Sequence, residues 1–168
     1  MLLAHGAAGN AASMLPWTQA LEALGVPGET VPVGGKLPGK AERAVEVYRA
    51  QVAGRREVVI GGQSYGGRMA SMLAAEDEVA GLVLLSYPLH PPGKTDQQRV
   101  QHLGSIKCPV LFLSGEADPF ARLDLLRAAV ARVPRAELVT YPGVGHGLSR
   151  DRAAMADAVG RIAEFARR

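Results

Sequence analysis

The sequence predicts an α/β protein of three layers, with a mostly parallel sheet of about six strands between helices on both faces. Short apolar runs rich in Val, Ile and Leu recur roughly every 25 residues, the mark of strands buried on both faces. Between several of these runs, apolar residues fall three or four positions apart, as on a helix. A chain of 168 residues, 48% hydrophobic and 21% charged, suits a single core, so residues 1–168 are expected to form one domain.

Taken in order, the expected strands are Leu2 to Ala4, Thr30 to Val33, Val58 to Ile60, Leu82 to Leu85, Val110 to Leu113 and Leu138 to Tyr141. The run Arg68 to Ala75 reads as a helix after the third strand. Leu123, Leu126, Val130 and Val133 set a second helical stripe, beginning near Phe120, and Met155, Val159, Ile162 and Phe165 a third. The stretch Gly34 to Gly39 and the segment His90 to Gly93 read as loops.

Composition excludes several classes of function. The single Cys108 cannot form an internal disulfide, and four scattered histidines leave no cluster at zinc-ligand spacing. The net charge of +3 is spread along the chain, with Arg55-Arg56 and Arg167-Arg168 as the only arginine doublets, so nucleic-acid binding is not expected. No apolar stretch approaches the roughly 20 residues that span a bilayer, and Met1-Leu2-Leu3 leads into His5-Gly6 without a signal-peptide pattern. A cytoplasmic protein with no membrane partner is the expectation.

In parallel sheets the reactive loops lie at the carboxyl ends of strands. The third strand runs into Gly62-Gln63-Ser64-Tyr65-Gly66-Gly67 and then a helix, the context in which Gly-x-Ser-x-Gly exposes a nucleophile on a sharp turn. Gly62 and Gly66 supply room for strand and helix to approach closely. A serine hydroxyl needs a base, and the base an orienting acid. Asp118, in Gly115-Glu116-Ala117-Asp118-Pro119 after the fifth strand, and His146, in Gly143-Val144-Gly145-His146-Gly147 after the sixth, follow Ser64 in the chain order Ser, Asp, His. Asp118 also suits the cap of a helix beginning near Phe120, and Glu116 competes with it as the orienting acid.

Acyl transfer further needs two donors for a developing oxyanion, each worth about 3 kcal/mol. The Tyr65 N–H follows the nucleophile. The loop His5-Gly6-Ala7-Ala8-Gly9-Asn10 offers the second, with Ala7 favoured over Ala8 and His5 bonding the loop rather than moving protons. That loop lacks the full Gly-x-Gly-x-x-Gly pattern, and the second strand ends without an acid for a ribose, so a dinucleotide site is not expected. Leu89, Phe120, Leu148 and Tyr65 are candidate walls of a substrate pocket, and each suits a core equally well.

These motifs resemble the α/β-hydrolase superfamily over almost the whole chain. Gly66-Gly67-Arg68-Met69-Ala70 and Leu85-Ser86-Tyr87-Pro88-Leu89-His90-Pro91-Pro92-Gly93-Lys94 are similar to a narrower group of small dienelactone-hydrolase-like proteins, related to a testis-expressed protein and a chromatin acetyltransferase-complex subunit. The resemblance implies Ser64 as nucleophile, His146 as base, Asp118 as its partner, Tyr65 and Ala7 as oxyanion donors, and no cofactor. It implies an esterase or thioesterase acting on a small-molecule acyl substrate. A non-catalytic interaction module and an acyltransferase with the same triad are the alternatives. Relatives usually carry two strands before the one entered by Met1, so a reduced sheet is expected. An uncovered first strand would expose an edge that invites a homo-oligomer. The short excursion from Leu89 to Lys107 leaves no room for a cap domain and implies an open site.

Overall fold

The computed structural model describes residues 1–33, 41–55 and 57–168. The loop expected from Gly34 to Gly39 lies outside the described residues. Six strands, β1 (Leu2–Ala4), β2 (Glu29–Val31), β3 (Val59–Gln63), β4 (Gly81–Leu85), β5 (Val110–Gly115) and β6 (Ala136–Tyr141), form one sheet. Every neighbouring pair is parallel, and the order is β2-β1-β3-β4-β5-β6. Among the described residues, α1 (Leu15–Ala23), α2 (Ala41–Val52), α3 (Tyr65–Glu76) and α4 (Leu123–Val130) lie between strands, and α5 (Arg152–Phe165) follows β6.

Side chains of successive strand residues point to opposite faces, and the core divides accordingly. Leu2, Ala4, Leu82, Leu84, Val110 and Phe112 meet α2, α3 and α4 through Tyr48, Leu73 and Leu126. Leu3, Val83, Leu85, Leu111 and Leu113 meet α1 and α5 through Trp17, Leu21 and Ile162. Helices therefore cover both faces, which is the expected three-layer arrangement. Tyr48 pins α2 to the sheet. Its buried hydroxyl accepts the Gly61 N–H at 3.0 Å and shares its proton between the carbonyls of Leu2 at 2.8 Å and Gly61 at 2.6 Å.

The differences from expectation have local causes. β2 stops at Val31 rather than reaching Val33, because Pro32 has no N–H for the ladder. β3 runs on through Gly61 and Gly62, which pair with Leu3 and Ala4 on one side and Val83 and Leu84 on the other. Pairing on both edges outweighs the poor strand propensity of glycine. The helix expected near Phe120 begins at Leu123, after a turn closed by Asp118. It ends at Val130, with a turn and Pro134 taking up the residues to Val133. The first strand is not uncovered: β1 lies between β2 and β3, and the sheet edges are β2 and β6.

The connection between β4 and β5, residues 86–109, holds one 3-10 turn (Leu103–Ser105) packed against α3, and no separate cap. Among the described residues no helix is long and apolar enough to cross a membrane.

Candidate active site

Ser64 joins β3 to α3 with φ 50° and ψ −116°, a left-handed conformation that costs energy for any residue with a Cβ. Close packing forces the turn. A Cβ on Gly62 would lie 2.4 Å from the Ala4 carbonyl oxygen, and one on Gly66 would lie 2.5 Å from the carbonyl oxygens of Ala4 and His5. Both positions therefore exclude a side chain. The Ser64 N–H donates to Leu85 O at 2.8 Å, and its carbonyl accepts from Arg68 N at 3.0 Å as the first helical bond.

His146 meets Ser64 from the far side of the sheet sequence. Its Nε2 lies 2.9 Å from Ser64 Oγ, and its Nδ1 lies 2.8 Å from Asp118 Oδ2. A carboxylate only accepts, so Nδ1 carries the ring proton and Nε2 is left to accept the serine hydroxyl. The Asp118 side chain is wholly buried, and its second oxygen, Oδ1, accepts the Phe120 N–H at 2.8 Å. His146 retains 23% side-chain exposure, and the Phe120 ring lies against it at a centroid distance of 4.4 Å and a tilt of 39°. The loop bearing His146 closes on β5 because Gly115 leaves space there: a Cβ would lie 2.1 Å from the Val144 carbonyl oxygen.

The three residues singled out at separate strand ends are thus in one hydrogen-bonded chain. Glu116 is not in it. Its carboxylate accepts from the Thr140 hydroxyl at 2.8 Å instead. Asp118 also closes the turn before α4, so one carboxylate bonds both the imidazole and the turn.

The loop after β1 lies against the same turn. A Cβ on Gly6 would come within 3.7 Å of Ser64 Cβ. Gly6 O accepts from Gly9 N at 3.0 Å, which leaves Ala7 and Ala8 exposed at the tip. Among the described residues, no hydrogen bond to another backbone group engages the N–H of Ala7 or Tyr65. The buried His5 bonds the neighbouring Gly6 carbonyl through Nδ1 at 2.8 Å.

Of the expected pocket walls, Leu89 and Leu148 are 0% and 1% exposed and belong to the two cores, so neither presents a surface to a substrate. Tyr65 and Phe120 are half-buried. A cavity of about 600 Å³, lined by Val59, Ala80, Pro109 and Ala136 among others, opens at the amino ends of the strands, away from Ser64.

Two residues to which the sequence reading assigned no role touch this assembly. Ser86 is fully buried just after β4 with φ 50°, and its Oγ accepts the Gly147 N–H at 3.2 Å. His90, also buried, accepts the Arg122 N–H on Nε2 at 3.1 Å. Their only sequence signal is a polar residue at the end of an otherwise apolar run.

Residues 33–168 match a family described as the alpha/beta hydrolase domain. Solved structures share the fold at low identity. A monoacylglycerol lipase from Paleococcus ferrophilus is 17% identical, with 98% of this chain and 92% of that one covered and a TM-score of 0.82. A thermophilic esterase from Thermogutta terrifontis is 17% identical, with 99% and 88% covered and a TM-score of 0.74. A putative non-heme bromoperoxidase from Mycobacterium tuberculosis is 14% identical, with 98% and 92% covered and a TM-score of 0.79.

Proposed function

The chain belongs to the alpha/beta hydrolase family, and on that premise we propose that it is a serine hydrolase cleaving small carboxylic esters or thioesters through an acyl-enzyme. The observation that carries this reading is the chain Ser64 Oγ, His146 Nε2, His146 Nδ1, Asp118 Oδ2, with links of 2.9 and 2.8 Å, on a serine held at φ 50°.

In the first half-reaction Ser64 Oγ bonds to the acyl carbon while His146 Nε2 takes its proton. The bond to the leaving alcohol or thiol then breaks, and the imidazolium returns that proton to it. Water repeats the sequence and releases the acid. The buried Asp118 carboxylate holds the ring in the tautomer that accepts at Nε2 and stabilises the imidazolium. The Tyr65 N–H, at the start of α3, and the Ala7 N–H, on the loop against Ser64, are the donors for the oxyanion. The short β4–β5 connection supports an open site suited to small or exposed acyl groups. The strings around Gly66 and Ser86 support placement in the small dienelactone-hydrolase-like group.

Fluorophosphonate labelling followed by peptide mass mapping tests the nucleophile. We expect a mass shift on Ser64, hydrolysis of a short p-nitrophenyl ester, and loss of both in Ser64→Ala with the melting temperature retained. An unlabelled native protein overturns the reading and favours a non-catalytic module on the same fold. Esters of graded acyl length, with and without an added alcohol acceptor, then define the acyl group and separate hydrolysis from acyl transfer.

A further inference from the structure

We propose that residues 86–90, which leave the carboxyl end of β4, position the base and its acid: Ser86 holds the loop of His146 and His90 holds the loop of Asp118. This rests on the serine-hydrolase reading, because it gives the segment the task of keeping those two residues in register with Ser64.

The His146 loop is tied at Val144, whose N–H donates to Tyr141 O at 3.3 Å and whose carbonyl accepts from Ala117 N at 2.9 Å, but the glycines around His146 add little stiffness. Gly143 and Gly147 have φ of 73° and 101°, and a Cβ on Gly145 would meet little around it. Glycine-rich backbone takes its orientation from outside contacts. The contact next to His146 is the Gly147 N–H donating to Ser86 Oγ at 3.2 Å. Ser86 is itself held by its own N–H, which donates to Leu113 O at 2.8 Å. Its φ of 50° would suit glycine without strain. What serine adds over glycine at that position is a buried hydroxyl, and the hydroxyl faces the His146 loop.

His90 does the same for the other loop. Its N–H donates to Phe120 O at 3.0 Å, its Nδ1–H donates to Pro91 O at 2.9 Å, and its Nε2 accepts from Arg122 N at 3.1 Å. Phe120 is the residue whose N–H holds Asp118 Oδ1 and whose ring lies against His146. The segment is braced in turn by Arg99, whose Nη1 donates to Pro88 O at 3.1 Å and whose carbonyl accepts from the Tyr87 hydroxyl at 2.7 Å. Both are positioning residues, since neither touches the reacting atoms.

The test compares Ser86→Gly, Ser86→Ala, His90→Ala and His90→Gln in p-nitrophenyl ester turnover, and follows the low-field NMR resonance of the His146 Nδ1 proton. Ser86→Gly relieves the backbone strain while deleting the hydroxyl, so it keeps the question open if Ser86→Ala fails to fold. We expect both Ser86 variants to lose on the order of 10-fold in kcat with KM nearly constant. The resonance should shift or broaden, and Ser86→Gly should melt no lower than the parent. His90→Ala should lose kcat similarly, and His90→Gln, whose amide oxygen can accept the Arg122 N–H, should recover most of it. Parental kcat and an unmoved resonance in Ser86→Gly overturn the assignment of Ser86, and the same result in His90→Ala overturns that of His90. A native protein without turnover overturns the hydrolase reading, and the resonance then judges the positioning on its own.

Discussion

Asp118 uses its two oxygens for different ends, Oδ2 on the imidazole and Oδ1 on the Phe120 N–H. Asp118→Asn separates them. If the amide oxygen keeps the Phe120 N–H, the amide NH2 faces His146 Nδ1, which must then give up its proton. The tautomer reverses, and Nε2 carries a hydrogen where it should accept one from Ser64. We expect kcat to fall by about 10³ to 10⁴ with KM little changed and the fold intact. A loss under tenfold in steady-state kinetics would remove Asp118 from its role. The grouping of Ser64, Asp118 and His146 in one hydrogen-bonded chain is legible in the sequence because residue type and strand-end position together carry the signal. The Ser86 contact is not, because it rests on a backbone angle and on Gly147, 61 residues away. For Leu89 and Leu148 the sequence leaves wall and core equally open, because both ask for the same apolar side chain, and burial places the two residues in the cores.

Elements show why one substitution has opposite signs in two helices. In α3, the Cβ of Gly66→Ala would stand 2.5 Å from the Ala4 and His5 carbonyl oxygens, atoms fixed by the sheet. We expect a loss of about 3 kcal/mol, the upper end of ordinary overpacking. In α5, Gly160 is exposed and has nothing within 4 Å of a Cβ, so Gly160→Ala should gain about 1 kcal/mol from helix propensity. Urea unfolding of both variants checks the pair, and a stable Gly66→Ala would contradict the close approach that creates the Ser64 turn. The apolar runs identified all six strands because buried parallel strands demand such residues. Their ends were less readable. Pro32 shortened β2, the Asp118 turn delayed α4, and neighbours on both sides extended β3 through glycines that no propensity favours.

At the scale of the molecule, sheet order is what the chain order conceals. From β1 the chain crosses to β2 on one side, and from β3 it crosses to β4 on the other, so the loop after β1 and the turn after β3 meet where the strand order reverses, with a Cβ on Gly6 3.7 Å from Ser64 Cβ. A part-buried contact of the β4–β5 connection makes the fold sensitive to acid. On the far flank of α3, Ser71 Oγ donates to the Arg68 carbonyl and lies 2.8 Å from His102 Nε2, tying the β4–β5 connection to the helix. Burial pushes the His102 imidazole down to about 4, and the Arg68 cation adds to this against a weaker opposing effect of Glu76. Unfolded histidine titrates near 6.5. Between those values the unfolded chain binds a proton that the folded chain refuses, so stability is fully present above about pH 6.5 and drains away as the pH falls toward 4. His102→Gln removes that titration while leaving a group able to bond Ser71. We expect the melting temperature of the parent to fall more steeply from pH 7 to pH 5 than that of His102→Gln, so that the gap between them narrows. Parallel curves over that range would show that His102 takes up its proton in the folded protein as readily as in the unfolded chain.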